Sequence, residues 1–125
     1  MEYLDLIGKQ FEYGAQGPDK FDCWTLAREL YLRMGIVLPP FASTDDCNLI
    51  NQMVNQGKEL FISIEMPESF CIVLFMVRPP YVSHIGVVLE DCQRFIHAAR
   101  EQAVAIERLD SHLWRRRIKG YYKYV

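Results

Sequence analysis

The stretch from Asp22 to Gly35 constrains the fold more than any other part of this sequence. Asp22 is a typical helix N-cap residue, and Gly35 occurs where a helix C-terminus favours a residue that can adopt positive φ. Between them, apolar residues recur at steps of three and four and share one face of a predicted helix: Cys23, Leu26, Ala27, Leu30, Tyr31 and Met34. A helix with such a face must bury it against another part of the protein.

The remainder of the chain predicts what covers this face. Residues 3–11 have the spacing of a short opening helix, residues 12–20 form a loop, and a second helix is predicted between Ser43 or Thr44 and Gly57. Short β-branched and aromatic runs then predict strands at 61–64, 71–77, 82–89, 94–98, 104–108 and 120–125. Helices followed by strands favour a single α+β domain over residues 1–125, with N-terminal helices packed on a central antiparallel sheet of about five to six strands.

Composition narrows the range of functions. The chain has 125 residues, half of them hydrophobic, and a net charge of −2, so nothing indicates a nucleic-acid partner. The N-terminus lacks the basic and apolar regions of a signal peptide, and no apolar run is long enough to span a membrane. We therefore expect synthesis in the cytoplasm, four reduced cysteines, and any export by a route such as assembly into a particle.

Cys23 lies at the start of the predicted helix, where unpaired N–H groups and the helix dipole favour a thiolate over a thiol. The thiolate is the attacking form of cysteine, so this position suits nucleophilic catalysis. A single cysteine on an apolar helix face is more often a small buried hydrophobic residue. The catalytic interpretation therefore depends on a partner elsewhere in the chain.

Two histidines in consecutive predicted strands supply that partner. A turn of two residues between the strands places His84 directly opposite His97, a turn of four places them diagonally on one face, and a turn of three places them on opposite faces. On one face they complete an arrangement of nucleophile, base and orienting group. Cys23 attacks a carbonyl carbon, His84 takes the thiol proton, and His97 fixes the tautomer of His84. Gly86, beside His84, leaves room for a substrate or for the helix end.

These motifs resemble the NlpC/P60 family of papain-like cysteine peptidases, which act on cell walls. Three motifs occur in the family's order: Tyr13-Gly14 ahead of Phe21-Asp22-Cys23, then Ser83-His84-Ile85-Gly86-Val87, then Phe95-Ile96-His97-Ala98. The resemblance implies a papain-like α+β fold and hydrolysis of peptidoglycan stem peptides, typically at the bond from γ-D-glutamyl to a diamino acid.

The resemblance also implies roles for individual residues. Cys23 is the expected nucleophile, His84 the base and His97 the third polar residue. Tyr13 is expected to line the oxyanion region together with the backbone N–H of Cys23, and Asp22 to contact the substrate amine as well as cap the helix. The resemblance implies no metal and no organic cofactor.

Two features resemble a subgroup of the family. Trp24 follows the nucleophile where most members have serine, and the segment 106–122 is similar to that of phage tail-assembly members. The resemblance therefore implies a peptidase associated with a phage or prophage tail, with tail proteins as partners. Trp24, together with Thr25 in place of the usual glycine, is expected to change the wall of the substrate groove.

Other functions fit the same residues. A structural tail protein that kept the fold but no longer cuts would have the same sequence if its groove were closed. A CHAP-type amidase would cut between sugar and peptide instead. A metal site formed by Cys23, His84 and His97 is disfavoured, because a cysteine at a helix start ionises without a metal.

Overall fold

The computed structural model describes residues 1–40, 55, 59–77, 82, 84–99 and 102–125. The second helix predicted between residues 43 and 57 lies outside the described residues, apart from Asn55. Cys47 and Ser83 also lie outside them. None of the helices within the described residues has the length and apolar character that a membrane span requires.

Among the described residues, the N-terminal part of the chain contains one α-helix and a two-stranded parallel ladder. Its elements are a 3₁₀ helix at Leu4–Leu6, strand β1 (Gln10–Phe11), strand β2 (Lys20–Phe21) and helix α1 (Cys23–Arg33). The helix predicted from Asp22 is confirmed, and its last turn leads to Gly35, which has a φ of 83°.

The opening helix predicted over residues 3–11 is wrong beyond its first turn. Gly8 donates its backbone N–H to the carbonyl of Val104 at 2.9 Å, and Val104 donates to the carbonyl of Lys9 at 2.7 Å. Gln10 then forms an isolated antiparallel β-bridge with Ala103. Pairing with a distant segment therefore replaces the local hydrogen bonds that a longer helix would need.

In the C-terminal part, the residues that the structure describes form a six-stranded antiparallel sheet in the order β3-β8-β4-β5-β6-β7. The strands are β3 (Phe61–Ile64), β4 (Ile72–Phe75), β5 (His84–Val88), β6 (Arg94–His97), β7 (Ala105–Arg108) and β8 (Ile118–Tyr124). The predicted α+β class, with a helix packed on an antiparallel sheet, is confirmed. The small parallel ladder of β1 and β2 was not predicted.

Alternation along the strands divides the buried side chains into two layers. The helix-side layer lies between α1 and the sheet and includes Cys23, Leu26, Leu30, Ile85, Val87 and Ile96. The outer layer lies on the opposite face and includes Val73, Phe75, Val88, Phe95 and Trp114. Alternate residues of β5 therefore place their side chains in opposite layers.

Helix α1 packs against β5. The hydroxyl of Tyr31, near the helix C-terminus, donates to the carbonyl of Phe70 at 2.6 Å, and the N–H of Phe70 donates to Val88 at the end of β5. About 12 Å of helix rise separates Tyr31 from Cys23. About 13 Å of strand separates Val88 from His84. The two spans that start from this contact, one along α1 to Cys23 and one along β5 to His84, are therefore of similar length.

Candidate active site

Asp22 caps α1, as the sequence predicts. Its Oδ1 accepts the backbone N–H of Thr25 at 2.8 Å, and the hydroxyl oxygen of Thr25 accepts the backbone N–H of Asp22 at 2.8 Å. This reciprocal pair is a capping box. The other carboxylate oxygen of Asp22 accepts the N–H of Gly14 at 3.0 Å, and Asp22 is fully buried. Asp22 therefore fixes the start of the helix and holds the loop that carries Tyr13 against it.

The same contacts bear on two expectations from the sequence. Both carboxylate oxygens of Asp22 are bonded to backbone N–H groups, so its contact with a substrate amine stays a prediction that the burial of Asp22 disfavours. Thr25, which stands in place of the usual glycine, serves the capping box and is buried. In this chain Thr25 stabilises the helix start, and its effect on the wall of the substrate groove stays a prediction.

Cys23 is the first residue of α1 and lies within the helix-side layer, only 2% exposed. This is the position that the sequence predicts for it. The sulfur is attached to the first turn of the helix, at the positive end of the helix dipole, where a negative charge is stabilised.

Trp24 and Tyr13 occupy different environments. Trp24 is fully buried, and its indole N–H donates to the carbonyl of Pro39 at 2.8 Å. Because Trp24 is fully buried, it presents no exposed surface of its own, and its expected effect on the wall of the substrate groove stays a prediction. Tyr13 is half-buried and packs edge-to-face on Phe11, with ring centres 4.9 Å apart. Its role at the oxyanion region stays a prediction.

His84 and His97 lie together on the outer face of the sheet. Strands β5 and β6 pair Val87 with Ile96, which is the register of a four-residue turn and of diagonally placed histidines. Nε2 of His84 lies 2.7 Å from Nδ1 of His97. Both side chains are buried. Of the three arrangements that the sequence left open, the structure therefore has the diagonal one.

The prediction that Gly86 leaves open space beside His84 is wrong. Gly86 lies on the same face as His84, and a Cβ atom built there would lie 2.9 Å from the ring of Phe95 and 3.3 Å from the carbonyl oxygen of Ile96. The space beside His84 is therefore filled by Phe95 and receives neither a substrate nor the helix end. Gly86 permits the close approach of β6.

Glu107 extends the two histidines into a chain of three side chains. Its Oε2 is hydrogen-bonded to Nε2 of His97. Strands β6 and β7 pair Phe95 with Glu107, which places Glu107 on the same face as His97. Glu107 was not predicted from the sequence as part of the site. Alternation within β7 limits Glu107 to one of two faces, but only the register against β6 shows that it reaches His97.

An aromatic group in the outer layer covers the two imidazoles. The ring of Trp114 is centred 5.7 Å from that of His84 and 4.9 Å from that of His97, and Phe75 lies 5.7 Å from His84. Arg117 places its guanidinium carbon 5.1 Å from the centre of the Trp114 ring. Trp114 is 5% exposed, and its indole N–H has no hydrogen-bond partner among the described residues. These rings exclude water from the bond between the histidines.

Comparison with known proteins identifies the family of the chain. Residues 8–123 match the model of the NlpC/P60 family. The chain belongs to the NlpC/P60 family. No curated protein sequence matches it closely enough to count as a relative.

Solved structures of NlpC/P60 proteins have the same fold as this NlpC/P60 chain. A protein from Staphylococcus aureus described as similar to a lipoprotein of the NLP/P60 family superposes with a TM-score of 0.69 at 23% identity, over 98% of this chain and 38% of that one. NlpC2 from Trichomonas vaginalis gives 0.62 at 21% identity, over 95% and 43%. A Bacillus cereus NlpC/P60 family protein gives 0.64 at 16% identity, over 95% and 36%. This chain therefore spans less than half the length of each of these proteins.

The electrostatics of this NlpC/P60 site favour neutral imidazoles. Burial lowers the pKa of His84 well below its ordinary value of 6.5, and the nearby His97 and the positive charge of Arg117 lower it further. Burial also lowers the pKa of His97, although the carboxylate of Glu107 opposes this shift. At neutral pH both rings are therefore uncharged, and His84 can accept a proton.

The described site thus contains two parts. His84, His97 and Glu107 are joined by two hydrogen bonds that do not include the sulfur of Cys23. Cys23 lies in the helix-side layer at the start of α1, and α1 packs against β5. Among the described residues, no group of three or more His, Cys, Asp or Glu side chains is arranged to hold a metal ion. A cysteine at a helix start and a neutral imidazole at a strand start are the components of acyl transfer through a thioester.

Proposed function

We propose that this NlpC/P60 protein is a cysteine peptidase that hydrolyses peptidoglycan stem peptides, with Cys23 as nucleophile and His84 as base. The observation that carries the proposal is the buried, hydrogen-bonded pair of His84, at the start of β5, and His97, together with the packing of the helix that begins at Cys23 against β5. Membership of the NlpC/P60 family supports a cell-wall peptide as the substrate.

The proposed reaction has two steps. Nδ1 of His84 takes the proton from the sulfur of Cys23, and the thiolate attacks the carbonyl carbon of the peptide bond. The backbone N–H of Cys23 and the side chain of Tyr13 are assigned to the oxyanion. His84 then gives its proton to the leaving amine, and a thioester remains on Cys23. Attack by water on the thioester releases the acid and restores the thiol.

The finer assignments follow the resemblance of the motifs. The proposed scissile bond joins γ-D-glutamyl to a diamino acid, and the proposed setting is a phage or prophage tail that delivers the enzyme from the cytoplasm to the cell wall. The similarity of the segment 106–122 to phage tail-assembly members supports the second assignment. Tail proteins are accordingly the proposed partners.

Digestion of purified cell walls tests the proposal. Wild type and Cys92→Ala are expected to release stem-peptide fragments that mass spectrometry identifies, whereas Cys23→Ala is expected to release none. Cys92 is a suitable control because it is a half-buried thiol in the turn between β5 and β6. Release of intact stem peptides from the sugar would instead identify an amidase of the CHAP type. No release by wild type from walls of several compositions would favour a structural tail protein.

Thiol labelling tests the nucleophile without a substrate. Burial raises the pKa of Cys71 to about 11, so iodoacetamide should modify it slowly at neutral pH. Cys23 is expected to be modified much faster than Cys47, Cys71 and Cys92, as peptide mass spectrometry would measure. Modification of Cys23 no faster than that of Cys47 would contradict the assignment.

A further inference from the structure

Donor and acceptor are fixed at each step of the hydrogen-bonded chain formed by Glu107, His97 and His84. A carboxylate accepts hydrogen bonds and cannot donate them, so Nε2 of His97 must carry the proton in its bond to Glu107. A neutral imidazole has a single N–H, and Nδ1 of His97 is therefore an acceptor. The 2.7 Å contact with His84 then requires Nε2 of His84 to be the donor. Nδ1 of His84 is left with its lone pair.

Exchange of donor and acceptor along this chain would be energetically unfavourable. If Nδ1 of His97 carried the proton, its Nε2 would present a lone pair to the carboxylate oxygen of Glu107. His97 is only 1% exposed, so water cannot readily separate the two acceptors. Two acceptors in contact repel each other, and the buried Nε2 of His97 would lack a donor. Removal of the carboxylate removes this constraint.

We propose that Glu107 is a positioning residue of this site, which sets the tautomer of His97 and thereby leaves Nδ1 of His84 able to take a proton from Cys23. The last part of the proposal, the transfer from Cys23, rests on the proposed function. The tautomers themselves do not. Glu107 does not contact the reacting atoms and acts only through His97.

Nitrogen-15 NMR of histidine-labelled protein measures the tautomers directly. The chain has three histidines, and the exposed His112 provides an internal reference. In wild type at mildly alkaline pH, His84 and His97 are both expected to carry the proton on Nε2. Glu107→Gln keeps an oxygen acceptor and should keep this pattern, whereas Glu107→Ala should shift His97 towards the Nδ1–H form. A wild-type His97 protonated on Nδ1, or an unchanged His97 in Glu107→Ala, would overturn the proposal.

The rate of Cys23 alkylation measures the consequence for the thiol. Glu107→Ala is expected to lower this rate about tenfold, in the range usual for a residue that orients a reactive group, and Glu107→Gln should restore most of it. Glu12→Gln removes an exposed carboxylate that pairs with Lys20 and should change nothing. A loss in Glu107→Ala that Glu107→Gln does not reduce would contradict positioning by hydrogen bonding.

The two proposals fail in distinguishable ways. If wild type leaves cell walls intact but its tautomers depend on Glu107, the peptidase assignment fails and the tautomer assignment stands. If wild type cuts stem peptides but His97 is indifferent to Glu107→Ala, only the role of Glu107 fails. Thermal unfolding of both Glu107 variants shows whether each remains folded, as expected for a side chain that is 34% exposed.

Discussion

The two faces of the sheet are built from different chemistry. The helix-side layer is almost wholly apolar, and Leu30, Ile85 and Val87 are each at most 1% exposed. The outer layer surrounds a hydrogen-bonded chain of His84 and His97 with aromatic rings. The helix-side layer therefore sets where α1 lies, and the outer layer sets the protonation state of the imidazoles. Strand β5 connects them, because its alternate residues enter opposite layers.

The strongest test of this contrast is a substitution on the outer face that removes the base. His84→Gln is expected to lower the rate of stem-peptide hydrolysis by a factor of about 10²–10⁴, because proton transfer to and from the reacting groups is lost. The free energy of unfolding should change far less than the rate. Mass spectrometry of released fragments and denaturant unfolding measure the two quantities. An undiminished rate would show that the outer layer does not supply the base.

A substitution in the helix-side layer should have the opposite signature. Leu30→Ala removes a fully buried side chain and is expected to lower the free energy of unfolding by about 2–5 kcal/mol. Hydrolysis per folded molecule should remain, since the imidazoles are untouched. Leu32→Ala is the matched control, because Leu32 is 55% exposed and its truncation should change the free energy of unfolding little. Equal costs for the two leucines would contradict the assignment of α1's buried face.

Gly86 tests how closely β5 and β6 must approach in the outer layer. Gly86→Ala places a methyl group 2.9 Å from the ring of Phe95, and we expect a loss of about 1–3 kcal/mol from overpacking. Gly120→Ala on β8 meets nothing closer than 3.6 Å and should be nearly neutral. Denaturant unfolding of both variants measures the difference. A neutral Gly86→Ala would mean that Phe95 has room to move away.

The start of α1 should respond to loss of its cap. Asp22→Ala removes the acceptor for the N–H groups of Thr25 and Gly14 and should cost about 0.5–2 kcal/mol. Asp19→Ala, at an exposed position in the preceding loop, should have almost no effect. The two variants should also differ in the rate of Cys23 alkylation, which is expected to fall only in Asp22→Ala. Identical unfolding curves for the two variants would contradict the capping role.

The smallest expected effect concerns pH. The pKa of His84 is lower in the folded protein than its ordinary value of 6.5, so the unfolded chain takes up a proton first as the pH falls. The free energy of unfolding should therefore be highest above about pH 6.5 and should decrease below it. Arg117→Gln removes one positive charge that lowers this pKa, and the decrease should become less steep. Unfolding at a series of pH values measures the slope, and an unchanged slope would exclude Arg117 as a cause.

Local signals made much of this fold predictable. The N-cap Asp22, the apolar periodicity of α1 and Gly35 all lie within one short stretch, and the helix is found there. The strands were predictable from β-branched and aromatic runs between turn residues. The prediction of an opening helix was wrong, because backbone pairing of Gly8 and Lys9 with Val104 overrides the local periodicity.

The candidate site was predictable only in part. Alternation limited His84 and His97 to three relative placements, and the register of β5 and β6 selected one of them. Glu107 and Trp114 were missed, since their contacts depend on how β7 and the segment after it return to the outer face. The interpretation of Gly86 as open space was wrong, because the ring that fills the space comes from the neighbouring strand.

The sequence by itself determined the capped helix that begins at Cys23, the short strands, and the occurrence of two histidines in consecutive strands. Only the tertiary structure decided that Glu107 completes a hydrogen-bonded chain with those histidines, and that aromatic rings close over it. The physical reason is that caps and periodicity act over a few residues, whereas strand register fixes which distant side chains meet, and a shift of one residue would turn each of them to the other face.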